Sequence, residues 1–598
     1  MHVANPIVRI INPDIKVELN KFYDGLDVDS KENELIKDFP TVYIHNWENS
    51  DKFEVYVGET NNFFQRTEQH YEEENTKGAW QQKLKDNNAS LFVIAHPSFN
   101  KSMTLDVENR LIHYLSSSSS VIKVHNARGN PQNKYYPCED FDIIFQKIWK
   151  RLRQYNRALF LSESEIKDSA IYKASPLHKL KFQQLVAKEQ IIDKIAECLL
   201  QKKNHQLVLV KGDAGTGKTV LMSSIFYDMI NRTIGDINED YVQSKELECA
   251  ILVNHNEQLT VYEEIVKKLD LVKNNENIVF RPTTFINQFK DKINSPKKRE
   301  KLYDVVFVDE AHLLLTQNNQ AFTDGNQLNE IMKCAKVVVV MFDENQVMNA
   351  EQYIDKETID NYINIAKSNN SYIELTDQLR MACNKKILKW INNFVKEGKI
   401  EILTKKRDKY EIKVFDTPEE LEKAIKEKSS NEKTKLSRLI ASYDWPYSGM
   451  SSPIDKKYWE VEIETKNGKW KKPWNRELMR YNTSKKEARK IKGLAWAEQP
   501  QTINEVGSTY TIQGFDLNYA GVILGPSVQY RNGKIVFDVS KSCNDRATHK
   551  RTLKNGDRVS FGEEFLKNEL GVLLTRGVNG LYIYACDEEL RKRLKACI

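Results

Sequence analysis

The sequence has no C-x-x-C pair. Its eight cysteines, Cys138, Cys198, Cys249, Cys334, Cys383, Cys543, Cys586 and Cys597, are scattered over 598 residues. That spread excludes a zinc ribbon and a disulfide framework, and it suits a reducing compartment. Long apolar runs are also missing. The longest, residues 337–342, is strand-sized, far short of the about 18 residues that cross a bilayer. The opening stretch, MHVANPIVRIINPDIKVEL, has no basic segment followed by a long apolar one, so no export signal is expected. Charge of one sign is barely in excess: 90 Lys and Arg stand against 84 Asp and Glu, for a net +6. This permits a polyanionic partner without requiring one. The expectation is a cytoplasmic protein that makes no membrane contact.

What is present is length and a set of ordered motifs. Single hydrophobic cores rarely grow past about 250–300 residues, so several domains are expected. The organising stretch is residues 207–222. An apolar strand, LVLV, runs into Gly212-Asp213-Ala214-Gly215-Thr216-Gly217-Lys218-Thr219, and a helix-compatible segment follows. In this strand–loop–helix order, G-x-x-x-x-G-K-T is a P-loop. Gly212 and Gly217 let the backbone turn its N–H groups toward phosphate oxygens, and the helix presents its positive end to the same phosphates. Lys218 can reach the β- and γ-phosphates, and Thr219 can offer its hydroxyl to Mg2+.

Downstream, YDVVFVDEAH ends an apolar strand in Asp309 and Glu310. Asp309 can hold Mg2+, and Glu310 can orient an attacking water. KVVVVMFDENQ predicts another buried strand, ending at Asp343 and Gln346. Gln346 is placed to touch both the γ-phosphate and the next domain. Then come Gln378 and Arg380 in YIELTDQLRM, Gln513 and Gly514 in TYTIQGFD, and Arg576 in LLTRGVNG. Upstream of the P-loop, Gln190 is the expected adenine reader, with Gln183 and Gln184 as competitors.

In this order the motifs resemble superfamily 1 helicases. Within them, QLRM, RLIASYDWPY, TIQGFDLNYAGVILG and KNELGVLLTRGVNGLYIY resemble the Schlafen-related helicase domain. The resemblance implies two RecA-like lobes with ATP between them. It also implies that Arg380 and Arg576 reach from the second lobe to the γ-phosphate. Residues 456–493 interleave Lys and Arg with Trp459, Trp470 and Trp474. A strand-binding surface and a solvated hairpin with core tryptophans are both open there. A second basic run, SPKKREK at 295–301, reads as a solvated loop.

The first 150 residues carry a different chemistry. Residues 41–44 and 53–58 read as a hairpin, followed by a helix from about Asn62 that puts Arg66 and His70 on one face. The strand SLFVIAH leads to a second helix, TLDVENRLIHYLS, which carries Glu108. Asn126 follows in VIKVHNARGN. This constellation resembles the GIY-YIG nuclease family: Tyr43 falls at the first motif, Tyr56-Val57-Gly58 at the second, and Arg66, His70, Glu108 and Asn126 at the remaining positions. Thr41 departs from the family's glycine. Glu108 can hold one divalent cation, and Arg66 can stabilise the phosphate. Tyr43 can take a proton from water, helped by Tyr56 or His70.

The expected architecture is α/β multidomain. A small α+β nuclease domain (1–150) precedes a helical connector (151–200), and two doubly wound parallel-sheet lobes follow (201–360 and 361–598). The expected function is an ATP-dependent nuclease–helicase, using ATP with Mg2+ and either Mg2+ or Mn2+ for cutting. Its partner is nucleic acid, DNA in preference to RNA; a homo-oligomer or an unidentified partner protein stays open. The architecture suggests bacterial defence against phage by analogy alone. A repair enzyme, an ATPase switch that gates the nuclease, and a binding scaffold with an inactive nuclease are the alternatives.

Overall fold

The computed structural model describes residues 3–11, 30–49, 52–72, 89–126, 135–230, 247–272, 276–293, 302–318, 322–403, 409–466, 468–482, 484, 491, 494–553 and 556–598. The chain separates into two compact units. One is Met1–Lys179 with Val261–Asn277, and the other is Leu180–Thr260 with Ile278–Ile598. The basic run at 295–301 lies outside the described residues.

The first unit is built on a mixed sheet. Its strands are β1 (Ile7–Ile11), β2 (Thr41–Asn49), β3 (Lys52–Thr60), β4 (Ala89–Ala95) and β5 (Val121–Val124). Their order among the described residues is β1-β4-β2-β3-β5. β2 and β3 form the expected hairpin, which sets Tyr43 opposite Gly58. Both faces of β2 are buried from Thr41 to Trp47, as expected of a central strand covered on two sides. Helix α1 (Phe63–Glu72) follows β3, and α2 (Lys101–Ser117) follows β4. The Asn100 side chain caps α2 by accepting from the Met103 N–H at 2.9 Å.

Helix α3 (Phe141–Tyr155) runs through residue 150, where a domain boundary was expected. Its apolar stripe, Ile144, Phe145, Ile148, Trp149 and Leu152, is buried, and Trp149 packs edge-on against Tyr114 of α2 at 5.0 Å. A helix that buries an aromatic stripe in a core belongs to that core, so the compact unit continues past 150.

The second unit holds two parallel sheets. The first contains β6 (Gln206–Gly212), β7 (Cys249–Val253), β8 (Val279–Phe280), β9 (Tyr303–Asp309), β10 (Ala335–Phe342) and β11 (Tyr372–Leu375). Among the described residues its order is β11-β6-β10-β9-β7-β8. Helix α4 (Phe182–Leu200) precedes β6, and α5 (Lys218–Ile230) follows the P-loop. The near-continuous apolar sequences of β7, β9 and β10 match their burial on both faces. β11 pairs with β6, so this lobe extends to Leu375 and not to residue 360.

The second sheet contains β12 (Glu411–Val414), β13 (Arg438–Ala441), β16 (Val506–Ser508), β17 (Leu517–Leu524) and β18 (Gly577–Ala585), in the order β12-β18-β17-β13-β16 among the described residues. The hairpin β14 (Glu460–Thr465) and β15 (Gly468–Pro473) lies between β13 and β16 in sequence. Both lobes have the RecA-like plan, with functional residues at the carboxyl ends of parallel strands.

Candidate active sites

In the first unit, three predicted residues converge. Tyr43 is fully buried on β2, and its ring stacks on Tyr56 of β3 with centroids 6.2 Å apart. Arg66, from the first turn of α1, hydrogen-bonds to both phenols. Burial pushes the Tyr43 phenol up, the neighbouring Tyr56 adds to this, and Arg66 works in the opposite direction. Tyr43 is therefore a protonated phenol with a cation beside it. Gly58 makes room for it, since a Cβ there would lie 2.5 Å from the phenol carbon and oxygen.

Asn126 ties the metal-ligand candidate to the sheet. Its Nδ2 donates to Glu108 Oε1 at 3.2 Å and to the Val57 carbonyl at 2.8 Å. The His70 side chain lies outside the described residues. Among the described residues no group of three or more His, Cys, Asp and Glu side chains could hold a metal. A single carboxylate such as Glu108 fits a hard divalent ion that takes its remaining ligands from water and phosphate. No sequence pattern pointed to His45, a buried side chain that packs edge-on against Tyr43 at 5.6 Å and Tyr56 at 6.3 Å.

In the second unit the left-handed turn of the P-loop falls on Gly217, as expected, and on Gly215, whereas Gly212 ends β6 without a positive φ. Gly215 and Gly217 both have left-handed φ, +88° and +79°. Lys218 is buried, and its ammonium donates to the carbonyls of Gly212 (2.6 Å) and Asp213 (3.0 Å) and to Asp343 Oδ2 (3.2 Å). Burial acts to raise the Asp343 carboxyl, but the Lys218 ammonium and the Gln346 hydrogen bond outweigh it and hold it below the usual carboxylate range. Thr216 closes the loop onto the Asp213 carbonyl at 2.9 Å, and Gln378 Nε2 donates to the Ala214 carbonyl at 2.8 Å. Thr219, the second helical residue, is half-buried beside Lys218. These groups fit a bound triphosphate: buried cation, curled amides and a hydroxyl at one helix start.

At the end of β9, Asp309 Oδ1 accepts from the Glu310 N–H at 3.0 Å, and Oδ2 accepts from Gln258 Nε2 at 3.2 Å. Glu310 sits at φ +50°, a left-handed conformation that is strained for a glutamate and typical of functional sites. His312 lies 3.4 Å from the Glu310 carboxylate and 3.4 Å from Gln513 Nε2. Burial lowers the His312 imidazole, which is therefore neutral. Gln258 gave no sequence signal beyond its place in NHNEQL.

The two arginines differ. Arg576 is fully buried and donates to Gln346 Oε1 at 3.3 Å, while Gln346 Nε2 donates to Asp343 Oδ2 at 2.7 Å. Burial, with Arg380 nearby, pushes the Arg576 guanidinium down to about 9. Arg380 lies beyond β11 on the segment leaving lobe one, and pairs with Asp516 at 2.5 Å. Gly514, two residues before Asp516, has φ +83°.

One expectation at the nucleotide site needs correction, and one reading left open in lobe two is decided. Gln190 is exposed on α4, whereas Gln184, buried in the first turn, donates to the Gly217 carbonyl at 3.1 Å. Gln183 accepts from the Thr376 and Asp377 N–H groups at 3.1 and 3.0 Å. Helical phase explains this: six residues carry Gln190 almost two turns from the P-loop end. The tryptophans of 456–493 are also not a stacking surface. Trp470 and Trp474 are buried in the lobe-two core and Trp459 packs against it. The adjacent lysines are paired, Lys472 with Glu422 at 2.6 Å and Lys471 with Glu462 at 3.3 Å.

Two catalytic modules on one chain define a nuclease joined to a helicase. Residues 39–120 match the model of the GIY-YIG catalytic domain, and residues 205–587 match that of the Schlafen group 3, DNA/RNA helicase domain. The chain belongs to the Schlafen group 3 helicase family. It is 33% identical over 423 residues to the uncharacterized protein YPL245W of Saccharomyces cerevisiae, a match covering 66% of this chain and 84% of that protein. Among solved structures, it is similar to one on DNA unwinding at forked double-stranded DNA by two coordinating Pif1 helicases. That likeness has 13% identity and a TM-score of 0.24, and covers 69% of this chain and 94% of that one. It is also similar to S. cerevisiae Dbp5 bound to RNA and ADP BeF3, with 13% identity, a TM-score of 0.28, and coverage of 73% and 90%.

Proposed function

We propose that the protein is an ATP-dependent nuclease–helicase of the superfamily 1 type. In this reading the motor hydrolyses ATP while moving along or remodelling nucleic acid, DNA by preference, and the GIY-YIG domain cuts it. One observation carries the reading: a continuous polar chain, Lys218–Asp343–Gln346–Arg576, joins the P-loop of one lobe to a buried arginine of the other. A γ-phosphate bound at Lys218 would sit at one end of this chain, so its loss on hydrolysis changes what holds the lobes together.

At the motor site, Lys218 and the P-loop amides bind phosphate, Glu310 orients the attacking water, and Arg576 and Arg380 face the transferring phosphoryl group. Thr219 and Asp309 would hold Mg2+ there, and Glu108 would hold Mg2+ or Mn2+ in the nuclease. When bound, these ions supply Lewis acidity that offsets phosphate charge. In the nuclease, Arg66 holds the scissile phosphate beside the tyrosine pair. Tyr43, a protonated phenol beside Arg66, orients the attacking water by hydrogen bonding and does not itself take its proton, and Asn126 keeps Glu108 oriented.

The test is cleavage of plasmid and single-stranded DNA and RNA with Mg2+, with ATP, without it, and with a non-hydrolysable analogue. Cutting that needs hydrolysis is the expected result. Cutting indifferent to nucleotide would make the two modules independent activities.

A further inference from the structure

Gln258, which lies outside the P-loop and outside the Asp309-Glu310 strand end (the Walker B element), grips the Asp309 carboxylate. Its amide donates to Oδ2 at 3.2 Å while the Glu310 N–H holds Oδ1 at 3.0 Å, so each oxygen has a donor that fixes the carboxylate plane. The preceding residue, Glu257, is almost buried and forms an ion pair with Arg476 of lobe two. The Trp496 N–H lies 3.5 Å from the second oxygen of Glu257.

Arg476 is not a loose surface cation. Asn475, beside it, takes a left-handed φ of +60° that asparagine tolerates. Its N–H donates to the Val506 carbonyl at 2.9 Å, and its own carbonyl accepts from Trp496 Nε1 at 2.9 Å. Lobe two also reaches Gln258 itself, since a Cβ on Gly514 would stand 3.6 Å from the Gln258 amide carbon. Consecutive residues of one helix start therefore touch lobe two and the Walker carboxylate at once.

We propose that Glu257 and Gln258 form a relay that reports the seating of lobe two to Asp309, with Gln258 as a positioning residue for the Mg2+ end of the nucleotide site. The relay rests on the nucleotide-site reading above. When the lobes part, Arg476 leaves a nearly buried carboxylate without its cation, which is costly, and the helix start shifts to expose it. Gln258 moves with its neighbour and releases Asp309. When the lobes close, the pair re-forms and the carboxylate is held for Mg2+. Nucleotide turnover and lobe contact are thus linked through two consecutive residues, Glu257 and Gln258.

The experiment uses the full chain. Binding of a fluorescent ATP analogue is titrated with and without Mg2+, and hydrolysis is measured against Mg2+ concentration. Gln258→Ala is expected to raise the Mg2+ needed for half-saturation about tenfold, the scale seen when an outer partner of a metal ligand is lost. Mg2+-free analogue binding stays as in the wild type. Gln258→Met keeps the volume and removes the amide, and should behave alike; it replaces the alanine variant if that one fails to fold. Glu257→Gln and Arg476→Gln should each shift the Mg2+ dependence in the same direction. Their double variant should be no worse than the more affected single, because both break one connection. Wild-type Mg2+ dependence in both Gln258 variants, or strict additivity of Glu257→Gln and Arg476→Gln, would overturn the relay alone. A wild-type protein that neither binds nor hydrolyses ATP would overturn the nucleotide-site reading and the relay with it.

Discussion

The Arg576 guanidinium donates to the Gln346 side-chain oxygen at 3.3 Å, from the second lobe of the motor to the first. Gln346 in turn holds Asp343, which holds Lys218. Among the described residues, the hydrogen-bond partners of this fully buried arginine are two backbone carbonyls and one side-chain amide. Burial accordingly pushes it down to about 9. A guanidinium in this setting gains strongly from an anionic group placed next to it.

Arg576→Ala should reduce ATP hydrolysis by at least about a hundredfold, with nucleotide binding retained, since an arginine finger is commonly worth 10³–10⁵ in rate. Lys218→Ala should abolish both. Paired measurements of analogue binding and phosphate release separate the two outcomes. Hydrolysis close to wild type in Arg576→Ala would remove this residue from the site.

Glu108→Ala should abolish cleavage and leave ATP hydrolysis intact. Asn126→Ala should weaken cleavage by about 10- to 100-fold, because it loosens the Glu108 carboxylate proposed to hold the metal. Excess Mn2+ should recover part of the Asn126→Ala loss and none of the Glu108→Ala loss. A nicking assay over a range of metal concentrations checks both.

Gly58→Ala adds one methyl group 2.5 Å from the Tyr43 phenol. The phenol must move, and the hydrogen bonds it shares with Arg66 and Tyr56 must break or rearrange. Cleavage should fall to background while the ATPase is unaffected. Normal cutting by this variant would show that the Tyr43 position has no bearing on the chemistry.

Glu569 gives the motor a pH dependence of known sign. Burial pushes its carboxyl from 4.5 up to about 8, with the Thr509 hydroxyl and Tyr443 N–H only partly offsetting this. Between those values the folded protein holds a proton that the unfolded chain has released, so stability falls as pH rises. This contribution is complete below about pH 4.5 and is lost as pH passes about 8. The unfolding midpoint of wild type should therefore drop more steeply from pH 6 to 8 than that of Glu569→Gln. Equal slopes would place the Glu569 titration elsewhere.

Sequence patterns were most informative where chemistry and backbone coincide within a few residues. The P-loop, the DEAH strand end and the YVG strand each combine an apolar strand with a glycine or carboxylate at a fixed offset. They were less informative where a residue type alone carried the argument. Gln190 and Gln184 look alike on an upstream helix, and only helical phase decides which faces the loop. The tryptophans among lysines fit a base-stacking surface equally well until the hairpin is seen to pack its rings inward and pair its lysines with glutamates. The lobe-one boundary shifted because β11, a four-residue strand, is recognisable only by its pairing with β6.

The sequence by itself determined the two modules and their order, because phosphate-binding loops and strand-end carboxylates are local devices. Tertiary structure alone decided the pairings between distant residues: Arg576 with Gln346, Arg476 with Glu257, Gln258 with Asp309, Arg66 with Tyr43 and Tyr56. Those contacts join positions up to 230 residues apart, and no local propensity encodes them. They follow from how parallel strands bring their carboxyl ends together and how burial forces each polar group to find a partner.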